Sequence, residues 1–563
     1  MSVALPVPHS QLEDGCSLLD RVRRDPALAR CPAFAGPFGL RPLIYADYTA
    51  SGRMLDLIED AVRHRVGPSY ANTHSEAAYG GRRTGALREA ARQSIRDNVG
   101  ATAAHAVIFA GSGATAGINR LVSVLGLGLP ADHHLRGLLL AQIAPHDRPV
   151  VLVGPYEHHS NELPWRESLA EVVRIPLASN GQPCQDAIAA ALTRYQDRPL
   201  LIGAFSAASN VTGIKTDIRP LARLLHRHDG LCVVDYAAGA PYLDIDMGET
   251  APGAGDQLDA IVLSPHKFVG GPGASGLLIA DRSMFRITRP SAPGGGTVSF
   301  VTPDSHAYLD DVQAREEAGT PSIIGDIRAA LVLQLKADMG MAVIDAAETS
   351  AVAQTLAFFA AHPALHLLGS SKADRLAIFS FNISAGGDML HHGLVVAMLN
   401  DMFGIQARGG CSCAGPYGHD LLGIDQQVSG QYRQLVSDGL EVMKPGWVRI
   451  GFPPVMGTAE IQYVLDALAF IAERGLDLMA LYRVEPGSGH WTLKSAPPAP
   501  APSIETLCLW RDGLETDIPP QAPPSTAEIF AQAKALADAG RRAEHVACCA
   551  LPDQADPLRW FHL

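Results

Sequence analysis

Over residues 105–280, short apolar segments alternate with stretches that have helical spacing. Each apolar segment has the length of one buried strand. Between two of them, Leu221, Leu224 and Leu225 fall on one helical face, and that stretch ends at Gly230. The alternation predicts an α/β fold with a mostly parallel sheet. Strands are predicted at residues 105–110, 149–154, 199–206, 231–237, 260–264 and 275–280.

The chain has 563 residues with 47% apolar content, which is more than one compact core usually holds. We predict an N-terminal segment at residues 1–40, a large domain at 41–324, a small α+β domain at 325–480, and a Pro-rich linker with a C-terminal tail at 481–563. Helices are predicted at residues 54–66, 84–100 and 458–475, with Thr84 as the N-cap of the second.

Composition and charge narrow the class of protein. The formal net charge is −13 and no dense Lys/Arg cluster is present, so nucleic acid would be repelled. Nine cysteines are too sparse for a disulfide scaffold, and their odd number favours reduced thiols. No signal-peptide pattern or long uninterrupted apolar stretch stands out. We therefore expect a soluble cytoplasmic protein with neither a nucleic-acid nor a membrane partner.

Lys267 follows a buried run in the segment SPHKFVGG, so we expect it at the carboxyl end of a strand, where open α/β sheets bind ligands. Burial lowers the pKa of a lysine and leaves a neutral amine that condenses with an aldehyde. Ser264 and His266 are close enough in sequence to donate hydrogen bonds to a phosphate. An ordinary surface lysine after a strand is the alternative when this segment is considered alone.

Asp235 ends another buried run, where an unpaired carboxylate would be costly. The N–H of a pyridinium ring would pair with it, and the carboxylate would keep that ring able to accept electrons from a substrate carbanion. A turn or helix-capping role explains Asp235 equally well in isolation. Together, Lys267 and Asp235 predict an enzyme that uses pyridoxal 5'-phosphate.

A glycine-rich loop, FAGSGATAG at residues 109–117, follows the first predicted strand and begins a helical stretch, so its amides are suited to cradle an anion. The loop also fits the GxGxxA dinucleotide fingerprint at Gly111, Gly113 and Ala116. A nicotinamide-dependent oxidoreductase is therefore an alternative. Against it, the acidic residue expected after the second strand is absent, and Asp132 lies in a polar loop instead.

Two further segments carry reactive side chains. EHHSN places His158 after a strand, where its imidazole is suited to stack on an aromatic cofactor. The loop QARGGCSCAGPYG contains Arg408, Cys411 and Cys413, and a loop cysteine beside an arginine is suited to form a nucleophilic thiolate. No second Cys/His pair stands at ligand spacing nearby, so no metal site is predicted.

These segments together resemble the class V aminotransferase family of fold-type I pyridoxal-phosphate enzymes, most closely its cysteine desulfurase and selenocysteine lyase branch, over residues 45–475. The resemblance implies a large mostly parallel-sheet domain with a smaller α+β domain after it. It also implies that Lys267 holds pyridoxal phosphate as the internal aldimine, with His158 stacked on the ring and Asn210 near the phenolic oxygen. The implied phosphate contacts are Gly113, Ala114, Thr115, Ser264 and His266.

The same resemblance extends to the partner and the substrate. EAGTP is similar to the stretch whose threonine, here Thr320, reaches the phosphate of the partner subunit, which implies a homodimer. RGGCSCA is similar to the RxGxxCA pattern of desulfurases, which implies that Arg408 binds the substrate carboxylate and Cys413 accepts sulfur. The implied reaction converts L-cysteine to L-alanine and leaves a persulfide on Cys413 for an acceptor thiol, and a sulfur-acceptor protein is one candidate for that partner.

Other reactions of the family stay open from the sequence. A C–S or C–Se lyase, an aminotransferase or an epimerase acting on another small amino acid would leave Cys413 as a bystander. Ala238 departs from the family pattern, since relatives usually carry at this position a residue that hydrogen-bonds the cofactor's ring oxygen.

Overall fold

The computed structural model describes residues 17–29, 33–73, 75–495, 503–504, 508, 522–542 and 547–563. Its first elements precede the central sheet: α1 (Leu18–Arg23), α2 (Pro26–Ala29), β1 (Ala33–Gly36), β2 (Gly39–Pro42), β3 (Ile44–Tyr45), α3 (Asp56–Ala61) and α4 (Tyr79–Asn98). The prediction that Thr84 caps a helix was wrong, because α4 begins five residues earlier at Tyr79. The Thr84 hydroxyl instead accepts a hydrogen bond from the Ala71 N–H at 3.1 Å.

The central sheet has seven strands: β4 (His105–Gly111), β5 (Val150–Val153), β6 (Glu171–Arg174), β7 (Leu201–Ser206), β8 (Leu231–Asp235), β9 (Ala260–Leu263) and β10 (Gly276–Asp281). Their order is β4-β10-β9-β8-β7-β5-β6, and only β10 runs antiparallel to its neighbours. The helices of this region are α5 (Gly113–Val124), α6 (His133–Gln142), α7 (Leu163–Arg166), α8 (Gln185–Arg194) and α9 (Ile218–His226). The predicted α/β class is confirmed.

Both faces of the sheet are buried over its inner strands, which is why those strands are almost entirely apolar. Successive side chains of β4 show this, because Val107 packs into one hydrophobic cluster and Ile108 into another. Since β4, β5, β7, β8 and β9 run in one direction, the loops that follow them meet at one edge of the sheet. This edge carries the predicted site residues.

A hairpin and three helices lead to the small domain: β11 (Val298–Val301), β12 (His306–Tyr308), α10 (Val312–Glu316), α11 (Ile323–Met339) and α12 (Met341–Ala361). The small domain contains β13 (Leu365–Leu367), β14 (Ile378–Ala385), β15 (Asp388–Leu390), α13 (His392–Phe403), β16 (Ile405–Gln406), β17 (Arg408–Gly410), α14 (Gly415–Leu422), α15 (Gln426–Ser437), β18 (Trp447–Gly451) and α16 (Thr458–Met479). Its antiparallel sheet has the order β13-β14-β18-β17, which places Arg408 opposite Arg449.

The described residues after 480 pack on the small domain. They form β19 (Tyr482–Glu485), β20 (His490–Leu493), α17 (Thr526–Arg542) and a final segment at 547–563. Tyr482, Trp491, Ile529 and Phe561 are buried in the same hydrophobic cluster as the small-domain sheet. These parts of the predicted linker and tail therefore belong to the small-domain core. No helix among the described residues is both long and apolar enough to cross a membrane.

Candidate active site

A cavity of about 230 Å³ lies at the carboxyl edge of the central sheet and is closed on one side by the small domain. We call it the main cavity. The structure brings together here every predicted site residue except Thr320: Gly113, Ala114, Thr115, His158, Asn210, Asp235, Ser264, His266, Lys267, Arg408 and Cys413. Residues at or just after the carboxyl ends of five strands of the large domain, together with residues of β17 and its following loop, thus line one space.

Lys267 lies on a short turn, Pro265–Lys267, directly after β9. Burial lowers the pKa of its amine to about 8, although the nearby carboxylate of Asp235 acts in the opposite direction. The neutral form, which reacts with a carbonyl, is therefore far more populated near neutral pH than it would be on an exposed lysine.

Asp235 ends β8 and is buried, with its carboxylate accepting a hydrogen bond from the Ala237 N–H at 2.8 Å. Burial raises the pKa of this carboxyl, and Lys267 opposes that shift. A cation placed in the cavity would compensate the buried charge.

Glu157 is buried outside the cavity lining, where it interacts electrostatically with Asp235, and the sequence analysis missed it. Its carboxylate accepts hydrogen bonds from the Ser206 N–H at 2.9 Å, the Ser206 hydroxyl at 2.6 Å and the Asn161 amide at 2.6 Å. Burial raises the pKa of Glu157 to about 7. The available signal was a charged residue next to His158 at the end of an apolar strand.

His158 begins a short turn after β5, and its Nδ1 accepts a hydrogen bond from the Ser160 N–H at 3.1 Å. Burial and the charge of Lys267 lower the pKa of this imidazole to about 3. The ring is therefore neutral at working pH, and a neutral aromatic ring lining the cavity is suited to stack on another ring.

The N-terminus of α5 forms the part of the cavity that suits an anion. The Ala114 N–H donates to the Ser264 hydroxyl at 2.9 Å, and the Thr115 and Ser160 hydroxyls are hydrogen-bonded at 2.6 Å. Gly113 has φ +61°, and a Cβ there would lie 2.8 Å from both the Ser264 Oγ and the His266 Cε1. Only glycine fits this close approach, which leaves backbone amides and hydroxyls pointing at one small volume.

Cys413 lies on the loop between β17 and α14, and its half-buried thiol lines the main cavity. Ser412 and Cys413 both have left-handed φ, at 51° and 56°. The loop is fixed by its carbonyls, because Ser412 O accepts from the Asn210 amide and Cys413 O accepts from the His159 N–H, both at 2.8 Å. Two consecutive strained residues are of the kind that clusters at functional sites.

Arg449 is the second site residue that the sequence analysis missed. It is buried on β18, where its guanidinium donates to the Asp47 carboxylate at 2.8 Å and to the Asn210 carbonyl at 3.0 Å. Arg408, opposite it on β17, is half exposed and lies 3.8 Å from the same carboxylate. The signal was an arginine inside the apolar run WVRIG, a position where an unpaired charge would be costly.

Thr320 does not line the main cavity. It is exposed on the loop before α11, where its hydroxyl accepts a hydrogen bond from the Asn72 amide at 3.2 Å. The predicted contact with a partner subunit stays a prediction.

The polar groups of the main cavity fit pyridoxal phosphate. Asn210 Oδ1, Ser412 Oγ and Arg449 Nε are buried without a hydrogen-bond partner in the described structure, so a polar guest would supply what they lack. The α5 amides suit its phosphate, Asp235 its protonated ring nitrogen, and Lys267 its aldehyde. Within the described residues, no group of three or more His, Cys, Asp or Glu side chains is arranged to hold a metal ion.

Comparison with known proteins agrees with this geometry. A cysteine desulfurase of Klebsiella pneumoniae is 27% identical over 380 residues, covering 67% of this chain and 85% of that protein. The fold matches the structure of the apo cysteine desulfurase from Thermococcus onnurineus NA1 with a TM-score of 0.63 and 21% identity, over 81% of this chain and 98% of that one. It also matches the cysteine desulfurase CsdA from Escherichia coli with a TM-score of 0.61 and 22% identity, over 82% and 99%. The family profile named aminotransferase class-V matches residues 44–464, well over half of the sequence. This chain therefore belongs to the class V aminotransferase family.

Proposed function

We propose that this protein is a pyridoxal-phosphate-dependent cysteine desulfurase that converts L-cysteine to L-alanine and leaves the sulfur on Cys413. The observation that carries the proposal is that Lys267 and Cys413 line one cavity although 146 residues separate them in sequence. A buried amine with a lowered pKa and a cavity-lining thiol are the two reactive groups that this chemistry requires. The desulfurase names of the relatives support the same conclusion.

Pyridoxal phosphate, when bound, supplies an aldehyde that condenses with amines and a ring that withdraws electrons from the substrate's α-carbon. In this chain Lys267 would attach it, and Asp235 would pair with its ring nitrogen. The amides of Gly113 and Ala114, with the hydroxyl of Ser264, would receive its phosphate, and His158 would cover one face of the ring.

Two arginines would orient the substrate. Arg449 is fixed by Asp47, Arg408 lies beside it on the neighbouring strand, and both residues line the cavity that Lys267 and Cys413 line. A guanidinium pairs well with a carboxylate because its N–H groups match the two oxygens. Arg449 is the better fixed of the two, while the half-exposed Arg408 is free to adjust to the substrate.

Lys267 would move the proton. Because burial lowers the pKa of its amine to about 8, the neutral form is available to take the proton from the substrate's α-carbon. Cys413 would then bond to the substrate sulfur while the carbon–sulfur bond breaks and the carbon takes up a proton. The net reaction is balanced, because the Cys413 thiol and L-cysteine together give a Cys413 persulfide and L-alanine.

Cys413→Ala tests the proposal. We expect the pyridoxal-phosphate-loaded variant to lose at least about 100-fold of the alanine formation seen in the wild type, because the nucleophile is absent. Cys413→Ser is the conservative companion. If either variant releases sulfide with alanine or pyruvate at the wild-type rate, the protein is a lyase of the same family and Cys413 is a bystander.

We also propose that the protein is a cytoplasmic homodimer that passes its sulfur to an acceptor thiol. The exposed position of Thr320 near the start of α11 suits a contact with a second subunit, and the described cysteines are free thiols, which suits a reducing compartment. Light scattering of the purified protein tests the dimer. Thr320→Ala should weaken pyridoxal-phosphate binding in a dimer that shares its sites, and a monomeric mass would contradict the proposal.

A further inference from the structure

A second cavity lies on the other side of the Cys413 loop. Its volume is about 350 Å³, and Cys411 lines it whereas Cys413 lines the main cavity. His159 and Gly415 also line the second cavity, and His159 is hydrogen-bonded to the Cys413 loop and to Gly415, which follows it. The His159 N–H donates to Cys413 O at 2.8 Å, and His159 Nε2 accepts from the Gly415 N–H at 3.0 Å. The segment 411–415 is thus the wall between the two cavities.

The wall places a thiol on each side. Ser412 and Cys413 have left-handed φ, so the chain reverses its direction between the two cysteines. Residues two apart have Cα atoms within about 7 Å of each other, which is a distance over which two cysteine sulfurs meet once their side chains rotate. Both thiols are partly exposed and free. For the sulfurs to meet, this turn has to move, and the hydrogen bonds that Asn210 and His159 donate to its carbonyls have to break.

The second cavity has an apolar floor and a basic rim. Leu422, Ile424, Tyr432, Val436 and Trp447 provide much of the floor, while Arg433 and Lys444 stand at the rim. No Asp or Glu lines it, although the whole chain carries a net charge of −13. Arg433 has no ion-pair partner among the described residues, and Lys444 lies 3.7 Å from the partly exposed Glu441. The local charge therefore favours an anionic ligand with an apolar body.

Resting on the desulfurase function proposed above, we propose that Cys411 is a second sulfur-carrying residue, from which an anionic thiol bound in the second cavity collects the sulfur. The thiolate of Cys411 attacks the outer sulfur of the Cys413 persulfide. A new sulfur–sulfur bond forms on Cys411, the old one breaks, and Cys413 leaves as a thiolate, so no oxidant or reductant is needed. The acceptor thiolate then repeats the same exchange on Cys411 from the side of the second cavity.

The number of alanines formed in the first burst, before any free thiol removes sulfur from the protein, tests the transfer. Mixing the pyridoxal-phosphate-loaded protein with excess L-cysteine, followed by rapid alkylation, should give a burst of about two alanines per subunit. Cys413 passes its first sulfur to Cys411 and is then free to accept a second one. Peptide mapping should find persulfide sulfur on both residues. Cys411→Ser should give about one alanine, with sulfur on Cys413 alone. Cys184→Ser, which removes another partly exposed thiol, should behave as the wild type.

The outcomes separate this inference from the function on which it rests. If Cys413→Ala forms alanine at the wild-type rate, the desulfurase function is wrong. If that variant is inactive but the wild type loads sulfur on Cys413 alone, with a burst of about one alanine, only the transfer to Cys411 is wrong. Persulfide on Cys411 in the Cys413→Ala variant would overturn the order of transfer.

A panel of small thiols tests the acceptor. We would compare 3-mercaptopropionate, 2-mercaptoethanol and cysteamine, which are similar in size and carry negative, neutral and positive charge. Arg433→Glu should lower the rate constant for persulfide removal by mercaptopropionate about threefold to tenfold, and raise the one for cysteamine, relative to the wild type with the same thiol. Arg433→Lys should retain the wild-type order. Equal rate changes for all three thiols would show that the rim does not select an anion.

Discussion

Lys267 and Lys336 are both buried lysines whose pKa burial lowers to about 8, so pKa alone does not distinguish them. Their surroundings do. Lys336 donates to the carbonyl of Leu243 and is absent from the lining of the main cavity, whereas Lys267 faces the phosphate cradle and Asp235. Position, and not acidity alone, should therefore decide which amine reacts with the aldehyde.

This difference gives a pH prediction for Lys267. The rate at which pyridoxal phosphate forms a borohydride-reducible adduct should rise with pH around a midpoint near 8, because the neutral amine reacts and burial disfavours the charged one. Peptide mass mapping should place the adduct on Lys267 and leave Lys336 unmodified. A midpoint above about 10, the ordinary value for lysine, would contradict the burial argument.

His158 is predicted to act by its ring and not by proton transfer, because burial and Lys267 lower the pKa of its imidazole to about 3. His158→Phe should bind pyridoxal phosphate within about threefold of the wild type, whereas His158→Ala should bind it about threefold to tenfold more weakly, since a ring stack contributes about 0.5 to 1.5 kcal/mol. Equilibrium titration measures both affinities. Equal losses in the two variants would assign the imidazole nitrogens the larger role.

For single residues, the sequence predicted those whose role is indicated by the neighbouring sequence. It did not predict those whose role depends on contacts with residues distant in sequence. Lys267 and Asp235 each follow an apolar strand, which marks the carboxyl edge of a sheet. Arg449 enters the site only because β18 pairs with β17, and Glu157 becomes significant only because Ser206 and Asn161 enclose it. Neither arrangement is visible within a short stretch of sequence.

Among the elements, the six predicted strands of the large sheet are present, and the seventh, β6, was missed. Its residues Glu171–Arg174 are only partly buried because β6 lies at the sheet edge, so no continuous apolar run marks it. The helix α6 was also not predicted. Asp132, assigned to a polar loop, caps this helix by accepting from the Leu135 N–H at 2.8 Å.

The end of the chain packs beneath the strand that carries Arg408. The indole of Trp560 stacks on the imidazoles of His391 and His392, with ring centroids 5.4 and 5.8 Å apart. His392 in turn contacts the backbone before β18, since a Cβ on Gly446 would lie 2.7 Å from its Cδ2. A Cβ on Gly409, next to Arg408 on β17, would lie 3.1 Å from the Nδ1 of the same imidazole.

Trp560→Ala should therefore affect both stability and substrate binding. We expect the free energy of unfolding to fall by about 2 to 3 kcal/mol, because a half-buried ring is lost from the core. The KM for the amino acid should rise about threefold or more as β17 shifts, while pyridoxal-phosphate occupancy is retained. Trp560→Phe, which keeps a stacking ring, is the matched control. A lower stability with unchanged KM would limit this segment to a structural role.

For the whole molecule, the sequence predicts the order of the domains along the chain. It does not predict that the C-terminal residues pack on the small domain. The Pro-rich stretch suggested a separate tail, yet Ile529 and Phe561 complete the core begun by β14 and α16. Such attachment depends on contacts between residues distant in sequence, as between Arg474 and Asp538, which are 64 positions apart. The sequence of an amphipathic helix such as α17, 17 residues long, indicates that one face is buried but not which surface that face covers.

Stability should depend on pH through buried carboxyls far from the main cavity. Glu348 on α12 accepts a hydrogen bond from the Ala377 N–H at 2.8 Å, and burial raises its pKa from 4.5 to about 7. Between these two values the folded state holds a proton that the unfolded state has lost, so this group's contribution to stability decreases as pH rises from about 4.5 through 7.

Glu348→Gln removes the titration and keeps an oxygen acceptor. At pH 5 its free energy of unfolding should be close to that of the wild type, whereas at pH 8 it should exceed the wild type by about 1 to 3 kcal/mol. Urea denaturation at the two pH values measures this difference, with the exposed Glu473→Gln on α16 as the control. The same difference at both pH values would mean that Glu348 is already ionised in the folded protein at pH 5, and that water or a neighbouring cation solvates it more fully than its buried position indicates.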